Sequence, residues 1–316
     1  MASTSGNEPL HHIPVLYHDI IHALRPKSTG RYVDATVGAG GHAAGILEAS
    51  NPGGQLLGFD LDPQALALAG QRLARYRGRY QLVQASYITL REQLLKLNWG
   101  GVDGVVLDLG VSSMQFDTPQ RGFSFQEEGP LDMRFDPDQP LTASDLLNQL
   151  PEEELADILW KYGEEPQSRR IARAIYRSRP LRTTTELARV IQQTVGRPQG
   201  RIHPATRTFQ AIRIAVNQEL QGVEVFLPQA VAALLPAGRL AIISFHSLED
   251  RLVKQYFRQQ SRDCICPPQQ PVCTCSHQAV IKEINRRPIM ATEEETQKNP
   301  RARSARLRVV EKLDLA

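Results

Sequence analysis

From position 31 to position 109 the chain alternates short apolar runs with helical ones, and that rhythm leaves few folds open. RYVDATV (31–37) reads as a buried strand, a turn follows with Gly38, Gly40 and Gly41, and residues 43–49 read as a helix. QLLGFD (55–60) is a second strand, ending at Asp60. Pro63 then suits the first turn of the next helix, where its missing N–H costs nothing. YQLVQAS (80–86) reads as a third strand, residues 90–97 as a helix and VDGVVLDL (102–109) as a fourth strand. Strands alternating with helices at this spacing predict a parallel sheet with helices on both faces.

Beyond Gly110 the rhythm breaks. Residues 115–138 are rich in Gly, Pro, Asp and Phe without periodicity, and helical segments follow at 142–149, 152–162, 167–178, 184–194 and 204–221. Start chemistry supports them, as with Thr183 three residues before Glu186. The α/β pattern resumes with a helix over 223–235, a turn at Pro236-Ala237-Gly238 and a strand, RLAIISF (239–245). A chain of 316 residues has room for two domains. The expectation is an α/β domain of residues 1–114 and 222–316, interrupted by a helical, basic domain of residues 115–221.

Ordinary proportions of apolar (41%) and charged (22%) residues exclude collagen-like and largely disordered chains. No apolar run approaches the roughly 18 residues of a membrane-spanning helix. The opening MASTSGNEPLHH lacks a basic start leading into an apolar stretch, and four cysteines are too few for a disulfide scaffold. A cytoplasmic protein without a membrane partner is expected. Its net charge of +3 hides an asymmetry: between Lys161 and Ala215 twelve Lys/Arg stand against three acids, a local +9. Arg197 and Arg201 belong to this set, and Arg286, Arg287, Arg301, Arg303, Arg306 and Arg308 form a second basic stretch. Charge clustered in this way fits a polyanion partner, although a solvated helical face has the same composition.

The strand ends carry the chemistry. Glycines at Gly38, Gly40 and Gly41 let the backbone approach a ligand closely, at the edge where open α/β sheets bind theirs. The dinucleotide spacing G-x-G-x-x-G is not met, because the third position is Ala43. Asp34 stands out instead, an acid inside the strand four residues before Gly38. A carboxylate there can meet an ammonium group, which NAD lacks and an amino-acid-bearing cofactor has. Asp60, about 20 residues past the glycines, can accept both ribose hydroxyls. With Tyr87 after the third strand and Asp108 ending the fourth, these groups are expected to line one crevice. S-adenosyl-L-methionine is the cofactor with a matching ammonium, ribose and adenine.

Longer motifs then become specific. HIPVL (12–16), DATVGAGGH (34–42), FDLDP (59–63), LDLGVSS (107–113), RGFSF (121–125), GPLDMRFD (129–136), YGEE (162–165), HPATRTFQAIRIAVNQEL (203–220), ISFHSLEDR (243–251) and NPRARSARLRV (299–309) run nearly end to end. In these the chain resembles the bacterial 16S rRNA cytidine N4-methyltransferase family, RsmH or MraW. The resemblance implies a class I, Rossmann-like methyltransferase sheet with an inserted all-helical domain. It implies methylation of a cytidine N4 amine in the decoding region of 16S rRNA, in free rRNA or the assembled small ribosomal subunit. Family cofactor contacts map onto Gly40, Gly41, His42, Asp60, Asp108 and Gln115. Tyr87 stands where the family usually has Phe, Asp19 where it has Glu, and Phe135 where Met is common.

For the transfer step, Asp108, Gly110 and the Ser112-Ser113 turn are the candidates to orient the amine. The segment 204–220 places Phe209, Ile212, Val216 and Leu220 on one face and Thr206, Gln210, Arg213 and Asn217 on another, a stripe that fits a substrate cleft or a merely solvated surface. Arg207 adds a cation. His246, after the fifth strand, can meet phosphate or base, or simply cap the strand. Arg169, Arg173 and Arg177 recur every four residues opposite Ile171 and Ile175 and read as phosphate contacts. Cys264, Cys266, Cys273 and Cys275, with His277 beyond, offer enough ligands for one tetrahedral zinc. A surface loop of reduced thiols is the simpler reading, and no metal is expected at the transfer site. An NAD-dependent dehydrogenase and a non-catalytic RNA-binding scaffold are the competing classes, disfavoured by Asp34 and by the complete cofactor set respectively. A homodimer is left open.

Overall fold

A strand covered on both faces must be apolar almost throughout, and this accounts for the short runs read above. In the computed structural model, which describes residues 14–196, 203–270 and 272–314, the sheet contains β1 (Arg31–Asp34), β2 (Gln55–Asp60), β3 (Tyr80–Gln84), β4 (Val102–Asp108), β5 (Leu234–Ser244), β6 (Ile281–Glu283), β7 (Ile289–Met290) and β8 (Arg306–Lys312). Their order is β3-β2-β1-β4-β5-β8-β6, with β7 also on β8. The first five are parallel, and β8 runs antiparallel to β5, β6 and β7. His12, Ile13, Arg197, Arg201 and Pro271 lie outside the described residues.

The described residues form two compact units. One comprises the described residues within Met1–Asp108, Pro228–His246 and Val253–Ala316, the other those within Leu109–Leu227 and Ser247–Leu252; the borders expected from the sequence are 114/115 and 221/222. The first holds the sheet with α1 (Tyr17–Leu24), α2 (Gly41–Ala49), α3 (Pro63–Leu73) and α4 (Leu90–Lys96). Asp62 caps α3 by accepting from the Gln64 amide at 2.9 Å, with Pro63 at the first helical position. Tyr32, Ile20, Ile46, Leu47, Leu56 and Val106 are in its core, each less than 2% exposed.

The second unit is helical: α5 (Ser113–Asp117), α6 (Ala143–Gln149), α7 (Glu152–Gly163), α8 (Ser168–Arg177), α9 (Thr184–Val195) and α10 (Thr206–Asn217). Thr142–Asp145 and Thr183–Glu186 form capping boxes that start α6 and α9. Leu147, Leu155, Leu159, Ile171, Ile175, Leu187 and Ile212 fill its own core. Two expectations need correction. The helix expected over 204–221 breaks at Gln218, which is left-handed at φ +49° and ends α10, before α11 (Glu219–Ala233) begins. The turn expected at 236–238 lies inside β5. There Val102 pairs with Leu234 and Gly104 with Arg239, so the surplus residues Leu235, Pro236 and Ala237 bulge outward and are exposed.

Arg239 ties the first unit together. Only 6% exposed, it donates to the Ala23 carbonyl at 2.6 Å and through Nε and Nη2 to Glu311 Oε2 at 2.9 and 2.7 Å. Lys282 takes the other Glu311 oxygen at 2.7 Å, and the two cations hold that carboxyl below the usual range. Removing one partner of such a pair strands a charge, whereas removing both does not. Arg239→Leu is expected to cost about 2–4 kcal/mol in urea unfolding, and Arg239→Leu/Glu311→Leu to recover most of it. A silent single substitution would mean that the pair does not hold β5 to β8.

Candidate functional site

The strand order reverses between β1 and β4, and ligands of open α/β sheets bind beyond the carboxyl ends at such a point. Because β1 to β5 are parallel, Asp34, Asp60 and Asp108 end their strands on one edge of the sheet. The three are joined by the few residues after β1. The Ala35 amide donates to the Val106 carbonyl at 2.8 Å and the Val37 amide to Phe59 at 2.7 Å. The Gly38 amide donates to Asp60 Oδ2 at 2.9 Å, and Thr36 Oγ1 accepts from the Asp108 amide at 2.8 Å. Thr36 was not singled out from sequence; its only signal was a hydroxyl two residues past a buried acid.

Asp34 is 1% exposed. Its Oδ1 accepts a long bond from the Thr36 amide, 3.3 Å, and its Oδ2 has no hydrogen-bond partner among the described residues. Burial lifts its pKa from 3.8 to about 7, against smaller opposing effects of the Thr36 and Ala43 amides. A buried carboxylate oxygen left unpaired by the described residues can accept a hydrogen bond from a cationic group. Asp60 differs. It also accepts from the Asp62 amide at 2.9 Å, so each oxygen is anchored once and keeps a further lone pair for a hydroxyl. Burial raises its pKa as well.

The glycine turn opens α2. Gly40 adopts φ +78°, and a Cβ there would sit 3.1 Å from the Ala69 Cα of α3; the turn needs both the left-handed backbone and the close approach. At Gly41 a Cβ would overlap Pro14, so packing explains that glycine. His42, 5% exposed, lies 3.0 Å through Nε2 from the Val15 carbonyl. A carbonyl only accepts, so Nε2 carries the proton. Burial drops the imidazole pKa to about 4, so His42 is neutral, and its Nδ1, 3.9 Å from Asp108 Oδ2, makes no ion pair. Tyr87 begins the 3-10 turn Tyr87–Thr89 that Ser86 caps after β3, and is half-buried. His246 follows β5 by two residues and is half-buried.

In the second unit, Ser112 Oγ accepts from the Gln115 amide and Gln115 Oε1 from the Ser112 amide, both at 3.2 Å. These two residues therefore build the capping box of α5, with Ser113 its first residue. The polar stripe of α10 has occupations inside the unit. Gln210 donates to the Tyr162 carbonyl at 3.1 Å, and Arg213 pairs with Glu219 at 2.8 and 3.0 Å. Asn217 donates to Met133 O and accepts from the Phe135 amide, each at 2.7 Å. Arg169, Arg177 and Arg207 are exposed; Arg173, also exposed, pairs with Glu152 at 3.1 Å. Sequence reasoning missed Glu164, left-handed at φ +47°. It accepts from Ser247 Oγ at 2.5 Å and Arg251 at 2.8 Å, which hold its carboxyl below the usual range. The YGEE and HSLEDR motifs thus meet in space.

The sequence model of the MraW methylase family matches residues 9–313. A protein of Dehalococcoides mccartyi (strain ATCC BAA-2100 / JCM 16839 / KCTC 5957 / BAV1) named ribosomal RNA small subunit methyltransferase H is 53% identical over 302 residues, 96% of this chain and 86% of that protein. Proteins of the same name from Heliobacterium mobile (49%; 96% and 99% covered) and Geotalea uraniireducens (50%; 96% and 99% covered) are similarly related.

Burial of Asp34 has a consequence for stability. Its folded pKa of about 7 lies above the ordinary value of 3.8, so the folded state binds this proton more tightly than the unfolded one. The associated stability is present below about pH 4 and is lost as pH rises through about 7. Asp34→Asn is expected to match the unaltered chain near pH 4 and to exceed it by about 2–4 kcal/mol at pH 8 in urea unfolding of the ligand-free protein. Equal stability at pH 8 would show that the buried carboxylate carries no penalty.

Proposed function

The chain belongs to the MraW methylase family, and on that premise we propose that it methylates small-subunit rRNA with S-adenosyl-L-methionine, at the exocyclic N4 amine of one cytidine in the decoding region (P site) of 16S rRNA. Its place of action is the cytoplasm, and its partner is that rRNA or the assembled small subunit. Asp34 carries the cofactor reading: a 1%-exposed carboxylate with an orphaned oxygen at the end of β1 suits an ammonium, which a nicotinamide cofactor lacks. The donor set fits, so the assignments follow residue by residue.

S-adenosyl-L-methionine supplies, when bound, a methyl group on a sulfonium. Asp34 holds the ammonium of its amino-acid part, and Asp60, anchored by the Gly38 and Asp62 amides, accepts from the ribose hydroxyls. The turn from Gly38 through Gly40 and Gly41 gives the ligand close access to backbone, and Tyr87 presents an aromatic face to adenine. His42, neutral and bonded to Val15, is a rigid wall of the turn. Gln115 keeps a cofactor assignment that the family resemblance supports.

The difficulty of the reaction lies in the nucleophile, because the cytosine amine lone pair is delocalised into its ring. An acceptor on the amine N–H orients the nitrogen and localises the pair. Asp108 takes this role, its backbone fixed by Thr36; Ser112 and Ser113 are the second candidates. Alignment of this kind contributes on the order of 7–11 kcal/mol in favourable cases. The methylated amine is acidic until it releases its proton, which water accepts. Arg169, Arg177 and Arg207 meet phosphate, and Arg173 joins them on releasing Glu152. Gln210, Arg213, Asn217 and His246 are assigned to the substrate with these, the first three by supporting the segments they bond.

Labelled methyl transfer to small subunits from a strain lacking the modification is expected to give N4-methylcytidine at a single decoding-region site. Cofactor binding without transfer would overturn the reaction. Affinity for S-adenosyl-L-methionine is expected to rise with pH through about 7 as Asp34 ionises. Asp34→Asn removes that dependence and weakens binding at least about tenfold at pH 8. Asp108→Asn is expected to keep the affinity within a few-fold and lower the transfer rate about 100-fold; an unchanged rate removes Asp108 from catalysis. Subunit affinity is expected to fall at least about tenfold between 50 and 200 mM salt, and less steeply in Arg169→Gln/Arg177→Gln.

A further inference from the structure

We propose that Cys264, Cys266, Cys273 and Cys275 bind one structural zinc ion that locks the connection between α12 (Ser247–Gln260) and β6. The four sulfurs lie within 4.8 Å of one another. Cys273 to Cys275 is 3.6 Å and Cys275 to Cys264 is 3.8 Å. Four thiolates around zinc at about 2.3 Å span tetrahedral edges of about 3.8 Å, so the sulfurs already stand at the spacing of a metal shell. A disulfide requires about 2.05 Å and would use the cysteines in pairs.

Two further features favour a metal over a loop of free thiols. Backbone amides aim at the sulfurs: Ile265 N–H donates to Cys275 Sγ and Cys266 N–H to Cys264 Sγ, both at 3.4 Å. Such bonds orient thiolate ligands and offset their charge. The lobe also lacks a core. No described residue from 261 to 280 is buried, and Ile265 and Val272 are 41% and 69% exposed. At its base Val280 N–H donates to Gln260 O at 3.0 Å and Ala279 N–H to Asp263 Oδ1 at 3.2 Å, and at its tip Gln270 donates through Nε2 to Thr274 Oγ1 at 2.7 Å and through its amide to Pro267 O at 3.0 Å. A segment without apolar burial needs a cross-link to hold one shape. His277, 3.0 Å through Nε2 from Gln259 O, belongs to that base and is not a ligand.

Binding is a simple exchange: Zn²⁺ displaces four thiol protons to solvent, leaving a site of net charge −2, with no redox step. Tetrahedral S₄ coordination also suits iron, so metal identity is part of the test. The whole chain, expressed without a polyhistidine tag and dialysed exhaustively, is expected to hold close to one zinc by elemental analysis. Organomercurial titration of the native protein should release that zinc in step with four thiols. Cobalt added in its place should give the intense visible bands of tetrahedral thiolate coordination. Cys264→Ser/Cys275→Ser is expected to lower zinc content at least about tenfold, with circular dichroism confirming an intact fold. Zinc below about a tenth of an equivalent without uptake of added zinc, iron in its place, or release independent of the thiols would each overturn the proposal. Titration of the unaltered chain decides the matter even where the double variant does not fold.

Discussion

A carboxylate removed from water needs hydrogen bonds or a counter-charge, and among the described residues Asp34 finds few of the first and none of the second. Its placement is tolerable because the chain around it is rigid. The residues from Ala35 to Gly38 bond in turn to β4, β2, Asp60 and the Asp108 amide. A short connection thereby holds the ends of three strands in mutual register. Its geometry sets where three carboxylates stand, and the buried Asp34 carries a desolvation penalty that only a hydrogen-bond donor or a counter-charge can relieve.

Legibility from sequence follows how local the cause is. β2 matches its reading to the residue, because its four inner residues LLGF are apolar or glycine and buried, with polar Gln55 and Asp60 at its two ends. The capping box at Thr183 and Glu186 was legible because both partners lie within one turn. Arg169, Arg173 and Arg177 lie on the face away from Ile171 and Ile175, as period alone requires. Periodicity identifies a face but not what covers it. Gln210, Arg213 and Asn217 share a helical face, yet their partners Tyr162, Glu219, Met133 and Phe135 come from other segments. The break at Gln218 escaped for the same reason: the segment 204–221 keeps its apolar spacing, while the Arg213–Glu219 pair and the left-handed Gln218 belong to a turn.

Long motifs that identify a family need not be motifs of chemistry. Within GPLDMRFD, Asp132 and Arg134 form a two-bonded pair at 3.0 and 2.7 Å, and Arg134 also reaches the Gln139 carbonyl at 2.6 Å. Arg121 of RGFSF donates to the carbonyls of Arg134 and Phe135, and Asn217 clamps the same stretch from α10. Met133, at φ +60° and 1% exposed, is held by this set of bonds. A segment without helix or strand must satisfy its backbone by other means, and charged side chains bonded to carbonyls do so here. The specificity of the string reflects that demand.

The same accounting refines the meaning of the basic segment. Arg213 is neutralised by Glu219 and Arg173 faces Glu152, so neither projects a full charge. Arg179 differs: it donates to the Leu147 and Leu150 carbonyls, each at 2.6 Å, and those neutral acceptors leave its charge uncancelled. It adds to the field of the unit without being free to touch a partner. Arg169, Arg177 and Arg207 are exposed and can do both. Long-range attraction of a polyanion depends on summed charge, whereas holding it in register depends on side chains able to reach phosphate. A count of arginines in the sequence measures the first quantity, and only the bonding pattern separates out the second.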